Sequence, residues 1–577
     1  MPRASENETV RGMPPELELV IRSTRAKNPE NDNQIRALLN RGLNWSEVVA
    51  CANQHKVAPL VQERVADLDT SGIAADQKHR LMELARDTGI SNFAYMGEML
   101  WLCGVFEAAG VPAIPFKGPA LGWLAYENFT HRTCVDLDFV LPQRYIPEAI
   151  AALQAREYTP QFNPIEAQAR ERGPAPGQYL FTPVGRRRSV ELHTERTLRY
   201  FSRPLNLNEM NSRLVELEIG GQKIRTFSIE DLLVMLCVHG AKHFWERLSW
   251  IVDIAQLVTV QQVNWEFLLA IAARMQSTQV LLLGLSLAHE LVGAPLPPTV
   301  LERIRGNSQV QWLTGKVLEQ YSGTSYPGAG VWARAIFRVR SSDGPWQGLR
   351  QLVRLSLSPT ESDRQKIRLP AVLSPLYSPV RLLRLLGEYG LGLRRRVKTD
   401  LAAYEPTPPE VVDQVLRFAK LSARDVLYDL GCGDGRIVVA AAEKYGIRAV
   451  GVDIDPARIA EARANARQHG VEKHVEFVLA DARDVDVSEA TVVNLYLKQF
   501  GILRLVERLR SQLRCGSRVI SRSSPIYGWT PDHTEKHVSA NGIPSMLYLW
   551  TIKEADKETA VEQDAAGELR HQHKADG

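Results

Sequence analysis

The chain has 577 residues, 45% hydrophobic and 24% charged, with 70 Lys and Arg against 66 Asp and Glu and a formal charge of +4. That length demands two or three hydrophobic cores, and so small a charge does not imply nucleic-acid binding, so no specific nucleic acid is inferred as a partner. No stretch is long and apolar enough for a transmembrane segment, and Cys51, Cys103, Cys134, Cys237, Cys432 and Cys515 form no C-x-x-C pair, which excludes a zinc ribbon or disulfide framework and fits a cytoplasmic protein.

Residues 1–30 are polar and rich in Pro, Glu and Asn, lack the basic and apolar regions of a secretory signal, and are expected to be a disordered tail. A first domain is expected over 31–226. It opens with helical spacing at Ile35, Leu38, Leu39, Leu43 and Val48, then turns to mixed strand and helix. There a short apolar strand leads into Phe116-Lys117-Gly118, a helix carries Leu121, Leu124 and Tyr126, and Arg132-Thr-Cys-Val-Asp136-Leu-Asp138-Phe-Val140 reads as the next strand. Alternation puts Asp136 and Asp138 on one face, where two carboxylates suit a hard divalent cation such as Mg²⁺. Glu191, in Ser189-Val-Glu-Leu-His193, supplies a third acid on a later strand, with His193 expected beside the metal and not on it. Metals held there would activate an attacking hydroxyl and steady a leaving pyrophosphate. Lys117, Gly118 and Arg132 are the candidate nucleotide-binding residues, Arg132 taking a phosphate through two nitrogens.

Residues 227–393 read as a helical region of the same module. His239 and His243 lie one turn apart, but no Glu follows His239 as a zinc-protease motif requires, which leaves phosphate contact or packing against Trp245 and Trp250. From about Arg338 to Lys398 basic residues outnumber acids about three to one, and Pro370, Pro375 and Pro379 break up the apolar clusters. Such charge is either a solvated helical face or a contact for acidic partners or lipid headgroups. Residues 394–403 read as a linker, 404–553 as a separate domain, and 554–577 as a second disordered tail.

In that last domain Val426-Leu-Tyr-Asp-Leu430 is a buried strand, and Gly431, Gly433 and Gly435 form a turn that lets a ligand lie against backbone where a helix begins. A second strand delivers Asp453 as acceptor for two ribose hydroxyls. A dinucleotide turn needs a third glycine where this chain has Arg436, which points instead to S-adenosylmethionine. Asp481, after a third strand, is placed to accept from the adenine amino group. Asp434 is either a helix cap or a ligand of the methionine amine. Asp429, Tyr404 and Thr407 complete the expected cofactor set, and Asn494 and Tyr496 are expected to line the acceptor channel.

These ordered motifs resemble class I S-adenosylmethionine-dependent methyltransferases, which implies a Rossmann-like, doubly wound sheet. Pro406-Thr-Pro408, Asp429-Leu-Gly-Cys-Gly-Asp-Gly-Arg-Ile-Val438 and Val493-Asn-Leu-Tyr-Leu497 look like the small protein-lysine methyltransferases related to mitochondrial enzymes that modify ATP synthase and the adenine nucleotide translocator. That implies a lysine acceptor in a protein, with a small metabolite or peptide as the alternative. Lys117-Gly118, Arg132, Asp136-x-Asp138, Val190-Glu-Leu-His193, Val238-His-Gly-Ala-Lys-His243 and Trp250-Ile-Val-Asp253 resemble an uncharacterised nucleotidyltransferase family of the polymerase-β superfamily. This implies an α+β domain with a helical companion, Mg²⁺ at the acids and a nucleoside triphosphate as partner. The alternatives are a non-catalytic N-terminal binding module, or a chain that only senses S-adenosylmethionine.

Overall fold

The computed structural model describes residues 13–68, 75–160, 177–183, 188–195, 205–322, 331–357, 377, 379, 381, 407, 409–495, 497, 502, 505–522, 526, 529, 531–538 and 544–554. The chain divides into two units, Met1–Gly392 and Leu393–Gly577. Residues 1–12, the 394–403 linker and residues 555–577 lie outside the described residues.

In the first unit β1 (Ile114–Pro115), β2 (Leu137–Val140), β3 (Tyr158–Pro160), β4 (Gln178–Pro183) and β5 (Val190–His193) form a mixed sheet in the order β1-β2-β5-β4-β3. A hairpin of β6 (Val215–Ile219) and β7 (Gln222–Thr226) follows. Only β2 and β5 run parallel, in a register that sets Asp138 opposite Glu191 and Val140 opposite His193. One core lies against this sheet, built on Phe106, Phe139, Tyr179 and Phe181. A larger one joins the flanking helices, Ile229–Lys242, Leu248–Val260 and Thr278–Leu287 among them. Trp245, fully buried, sits in a slot made by glycines: a Cβ on Gly240 would fall 2.3 Å from its ring, and one on Gly284 would fall 2.4 Å from Cys237 Sγ.

The tail expected over 1–30 is corrected from residue 13 onward. Pro15–Ser23 is a helix whose Leu19, Val20 and Ile21 are fully buried, and Arg22 pairs with Glu18 at 2.7 Å inside it. The polar flanks mask a short apolar run that the first core covers.

The second unit is a seven-stranded sheet of β8 (Val426–Leu430), β9 (Arg448–Asp453), β10 (Val475–Leu479), β11 (Val492–Leu495), β12 (Arg518–Arg522), β13 (His533–Val538) and β14 (Pro544–Thr551). Their order is β10-β9-β8-β11-β12-β14-β13, parallel except at β14 and β13. Successive residues sort onto two cores, one on each face. Leu427 joins the helix Arg436–Tyr445 on one face, and Tyr428 and Leu430 face the other. Such two-sided burial is what a parallel sheet requires. Every parallel strand is legible in the sequence, but β13 is not, because its polar and charged His533, Glu535, Lys536 and His537 carry no apolar signal.

Candidate active sites

In the second unit the carboxyl ends of β8 and β9 lie side by side, Leu430 opposite Val452. The turn after β8 has positive φ at Gly431 (94°), Gly433 (55°) and Gly435 (74°), a conformation L side chains resist. Two of its amides, Gly431 N–H and Cys432 N–H, donate to the Val452 carbonyl at 2.8 and 3.0 Å, fixing it to β9. Gly435 is required for packing as well: a Cβ there would fall 2.8 Å from both Ala462 and the Phe477 ring.

Asp453 ends β9 and is oriented by backbone amides. Gly433 N–H donates to its Oδ2 at 2.9 Å and Asp455 N–H to its Oδ1 at 2.8 Å. The carboxylate is thereby held at the turn, with lone pairs left for a diol. Sheet growth reverses between β8 and β11, with β9 and β10 added on one side and β11 and β12 on the other, and ligands of open α/β sheets bind at such a point. Here the parallel register sets Asn494 beside Asp429, and the Asn494 amide donates to Asp429 Oδ1 at 2.7 Å. Asp429 is 2% exposed. Burial, helped by the charges of Asp453 and Asp434 and opposed by the Asn494 bond, pushes its pKa up to about 7.

Asn494 was expected in the acceptor channel, but it lies 2% exposed under the turn and its amide is taken by Asp429. Asp434 is a weak cap, accepting from Arg436 N–H at 3.4 Å, and pairs more closely with the Arg436 guanidinium at 2.8 and 3.1 Å. Arg436 in turn donates to the Thr407 carbonyl at 2.6 Å, so the residue that breaks the dinucleotide pattern ties buried Thr407 to the turn. Asp481 follows β10 and accepts from the backbone and side chain of Arg483, at 3.0 and 2.9 Å. Tyr404 and Tyr496 lie outside the described residues.

In the first unit the 4% exposed Asp138 is the centre of a cluster of polar side chains. Its Oδ1 accepts from Lys117 Nζ at 3.3 Å and from His193 Nε2 at 2.7 Å. Burial opposes its charge, but Lys117 and His193 outweigh that and hold its carboxyl below the usual range. Conversely, burial opposes protonation of His193, and its bonds to Asp138 and Glu191 raise it. Glu191 accepts from Gln178 at 2.7 Å and lies 3.4 Å from His193. Burial and the neighbouring charge of Asp138 lift Asp136 to about 7.

Among the described residues, Asp138, Glu191 and His193 offer ligand atoms all within 4.8 Å of one another. Of the expected trio of Asp136, Asp138 and Glu191, this group contains the last two. Asp136 precedes β2 instead of sitting on it, and His193, expected only as a neighbour, belongs to the tight group. Lys117 Nζ, besides its contact to Asp138, lies 3.3 Å from His239 Nδ1. His239 and His243 rings stand 4.8 Å apart and both pack on Trp250.

Arg132 is not a phosphate ligand in this arrangement. Its Nε and Nη2 each donate to Asp253 at 3.0 Å and its Nη1 to the Gly118 carbonyl at 3.2 Å, while Tyr126 Oη donates to Asp253 at 2.7 Å. Asp253 lies 121 residues from Arg132, so spacing gave no warning of the pair. Gly118 has φ 52°, and a Cβ there would come 3.2 Å from the Asp136 carbonyl. Asn92 was missed altogether. Fully buried, it donates to the carbonyls of Phe129, Thr130 and Arg132 and accepts from Cys134 N–H, pinning the loop that leads to Asp136.

Comparison with known proteins follows the same division. Residues 41–293 match a family described as uncharacterised nucleotidyltransferase, and residues 429–533 match the ANTKMT methyltransferase domain. A protein-lysine N-methyltransferase of Saccharolobus islandicus is 41% identical over 152 residues, 26% of this chain and 94% of the relative. A human lysine N-methyltransferase named for its ATP synthase substrate is 32% identical over 143 residues, 25% of this chain; the chain spans 59% of that relative's length. A crystal structure of an RNA methyltransferase from Salinibacter ruber with S-adenosyl-L-homocysteine is 44% identical, covering 26% of this chain and 95% of that one, at a TM-score of 0.25.

Proposed function

Because the chain belongs, through its C-terminal unit, to the S-adenosylmethionine-dependent methyltransferases, with a nucleotidyltransferase-family domain ahead of it, we propose that it methylates the ε-amino group of lysine in a protein. The observation that carries this reading is the glycine turn locked to β9 with Asp453 oriented at its mouth. It is supported by the 41% identity to a protein-lysine N-methyltransferase over nearly the whole of that relative. The sulfonium of S-adenosylmethionine supplies an already activated methyl group. The residues of this chain supply alignment and exclusion of water. Asp453 accepts from the ribose diol, the Gly431–Gly435 turn presents backbone against the ligand, and buried Asp429, bonded to Asn494, supports the turn from below. Asp481 stands where an adenine amino group is accepted. The acceptor amine has to arrive neutral although a free lysine side chain titrates only at ~10.4, and desolvation beside a cation favours that loss of the proton.

The test is incubation of the purified protein, and of Asp453→Ala, with methyl-labelled S-adenosylmethionine and lysate of the source cells. Label in a discrete protein band, lost in the variant, supports a protein acceptor. Label confined to small molecules moves the acceptor to a metabolite and overturns the lysine reading.

For the first unit the reading is Mg²⁺-assisted nucleotide transfer from a nucleoside triphosphate. Asp138 and Glu191, set opposite each other by β2 and β5, with Asp136 just ahead of β2 and destabilised as an anion by burial and by Asp138, form a donor set that a hard dication would relieve. Asp138 and Glu191 would hold the ion, with His193 beside them and Asp136 at the edge of the group, and Lys117 is a cation at hand for phosphate.

A further inference from the structure

The helices Val331–Arg340 and Pro345–Leu357 close the long described stretch of the first unit, and the second turns an apolar stripe outward. Trp346 is 81% exposed, and Leu349 and Val353 are 49% exposed. Spaced at i, i+3 and i+7, they share one face, with exposed Arg350 beside them. Ile336 on the preceding helix is 48% exposed. The opposite face is already used: Gln347 donates to the Gln276 carbonyl at 3.0 Å, and a Cβ on Gly348 would fall 2.8 Å from the Val339 carbonyl oxygen. Rotating the helix to hide the stripe would break that close approach.

Charge accompanies the stripe. Residues 331–398 hold fourteen Lys and Arg and four Asp and Glu, a net +10, so with +4 for the whole chain the rest carries −6. Within the described part, 331–357, Arg334, Arg338, Arg340, Arg350 and Arg354 stand against one acid, Asp343, in the segment that carries Trp346, the most exposed tryptophan among the described residues. Neither described helix contains an acid. Trp, Leu and Val on one face with Arg alongside is the composition of a helix that lies in the headgroup zone of an anionic bilayer, its apolar side chains in the acyl boundary and its cations at the phosphates. A groove on a partner protein would take the stripe but would not require the arginines that these acid-free helices carry. No described helix is long and apolar enough to cross a membrane, so the contact is with the surface.

We propose that the Pro345–Leu357 helix docks this protein on an anionic lipid surface. The inference is independent of the reaction assigned above.

The full chain is sedimented with vesicles of phosphatidylcholine containing about 30% phosphatidylglycerol, and with vesicles of phosphatidylcholine alone. Binding is expected to the first, at least about tenfold weaker to the second and in high salt. Trp346→Glu with Leu349→Glu should weaken it at least about tenfold while leaving the melting temperature and labelled-cofactor binding unchanged. Should that variant fail to fold, Arg350→Glu, at an exposed position, must still weaken binding about fivefold. Failure to bind anionic vesicles, or undiminished binding by the folded variants, overturns the proposal. So does a change from dimer to monomer on Trp346→Glu in sedimentation velocity without vesicles, which would make the stripe an interface between copies.

Discussion

Asp429 keeps its proton to about pH 7 because the fold buries it facing Asp453 and Asp434. A carboxyl whose folded pKa lies above its unfolded value contributes stability that is full below the unfolded pKa and lost as pH rises through the folded one. Unfolding free energy should therefore fall by roughly 2 kcal/mol between about pH 5 and about pH 8 on account of this group, and Asp429→Asn should flatten that decline in denaturant titrations. Asn92 acts by hydrogen bonding and not by charge. Its removal leaves buried carbonyls of the 129–132 loop without a donor, so Asn92→Ala should cost about 2 to 4 kcal/mol of stability, read from the shift in the denaturation midpoint. Breaking the Arg132–Asp253 pair from one side leaves a buried charge uncompensated. Asp253→Asn should destabilise the first unit by about 3 to 5 kcal/mol, measured the same way.

Elements meet in this protein through glycines that serve packing as much as backbone freedom. Gly451, in the middle of β9, has no need of positive φ, yet a Cβ there would lie 2.8 Å from Phe477 on β10 and 2.9 Å from Cys432 Sγ in the turn. Gly451→Ala should lower stability by about 1 to 3 kcal/mol and weaken cofactor binding as well, since the displaced Cys432 belongs to the turn; calorimetry with S-adenosylhomocysteine would show both. At this scale the sequence was most legible where chemistry restricts the residue type. Three glycines in left-handed backbone, an acid at the end of a strand and apolar runs buried on both faces leave few alternatives, and the strands from Val426 to Arg522 were found within a residue or two. Legibility failed wherever meaning depended on a distant partner. Arg132 looked like a phosphate ligand until Asp253 was in place, Asn494 looked like a channel residue until β11 was set beside β8, and His193 joined the acids only through the β2–β5 register. Pro15–Ser23 and β13 went unseen because polar neighbours hid their pairing surfaces.

For the molecule as a whole, two chemically distinct sites are built on separate sheets within separate units. Each has its own cores and its own acids. If the two reactions proposed here are carried independently, Asp138→Asn should abolish Mg²⁺-dependent nucleotide consumption and leave methyl transfer within about twofold, with Asp453→Ala doing the reverse. Parallel assays of triphosphate loss and label transfer on the full chain decide this. Loss of both activities in either variant would mean that the sites communicate.

The sheet order of the second unit has a consequence for how the protein is made. β14 lies between β12 and β13, so the last of the described strands to be synthesised is inserted as an interior strand and not laid on as a margin. Until residues 544–551 leave the ribosome, β12 carries Val519 and Ile520 on an unpaired rim, and β13 has nothing to pair with. A nascent chain stalled or cut before Pro544 therefore presents a sticky apolar strand able to recruit another chain, while the finished protein ends its sheet on a strand studded with His533, Glu535, Lys536 and His537. The methyltransferase fold here becomes safe from edge-to-edge association only when its final hairpin has been translated.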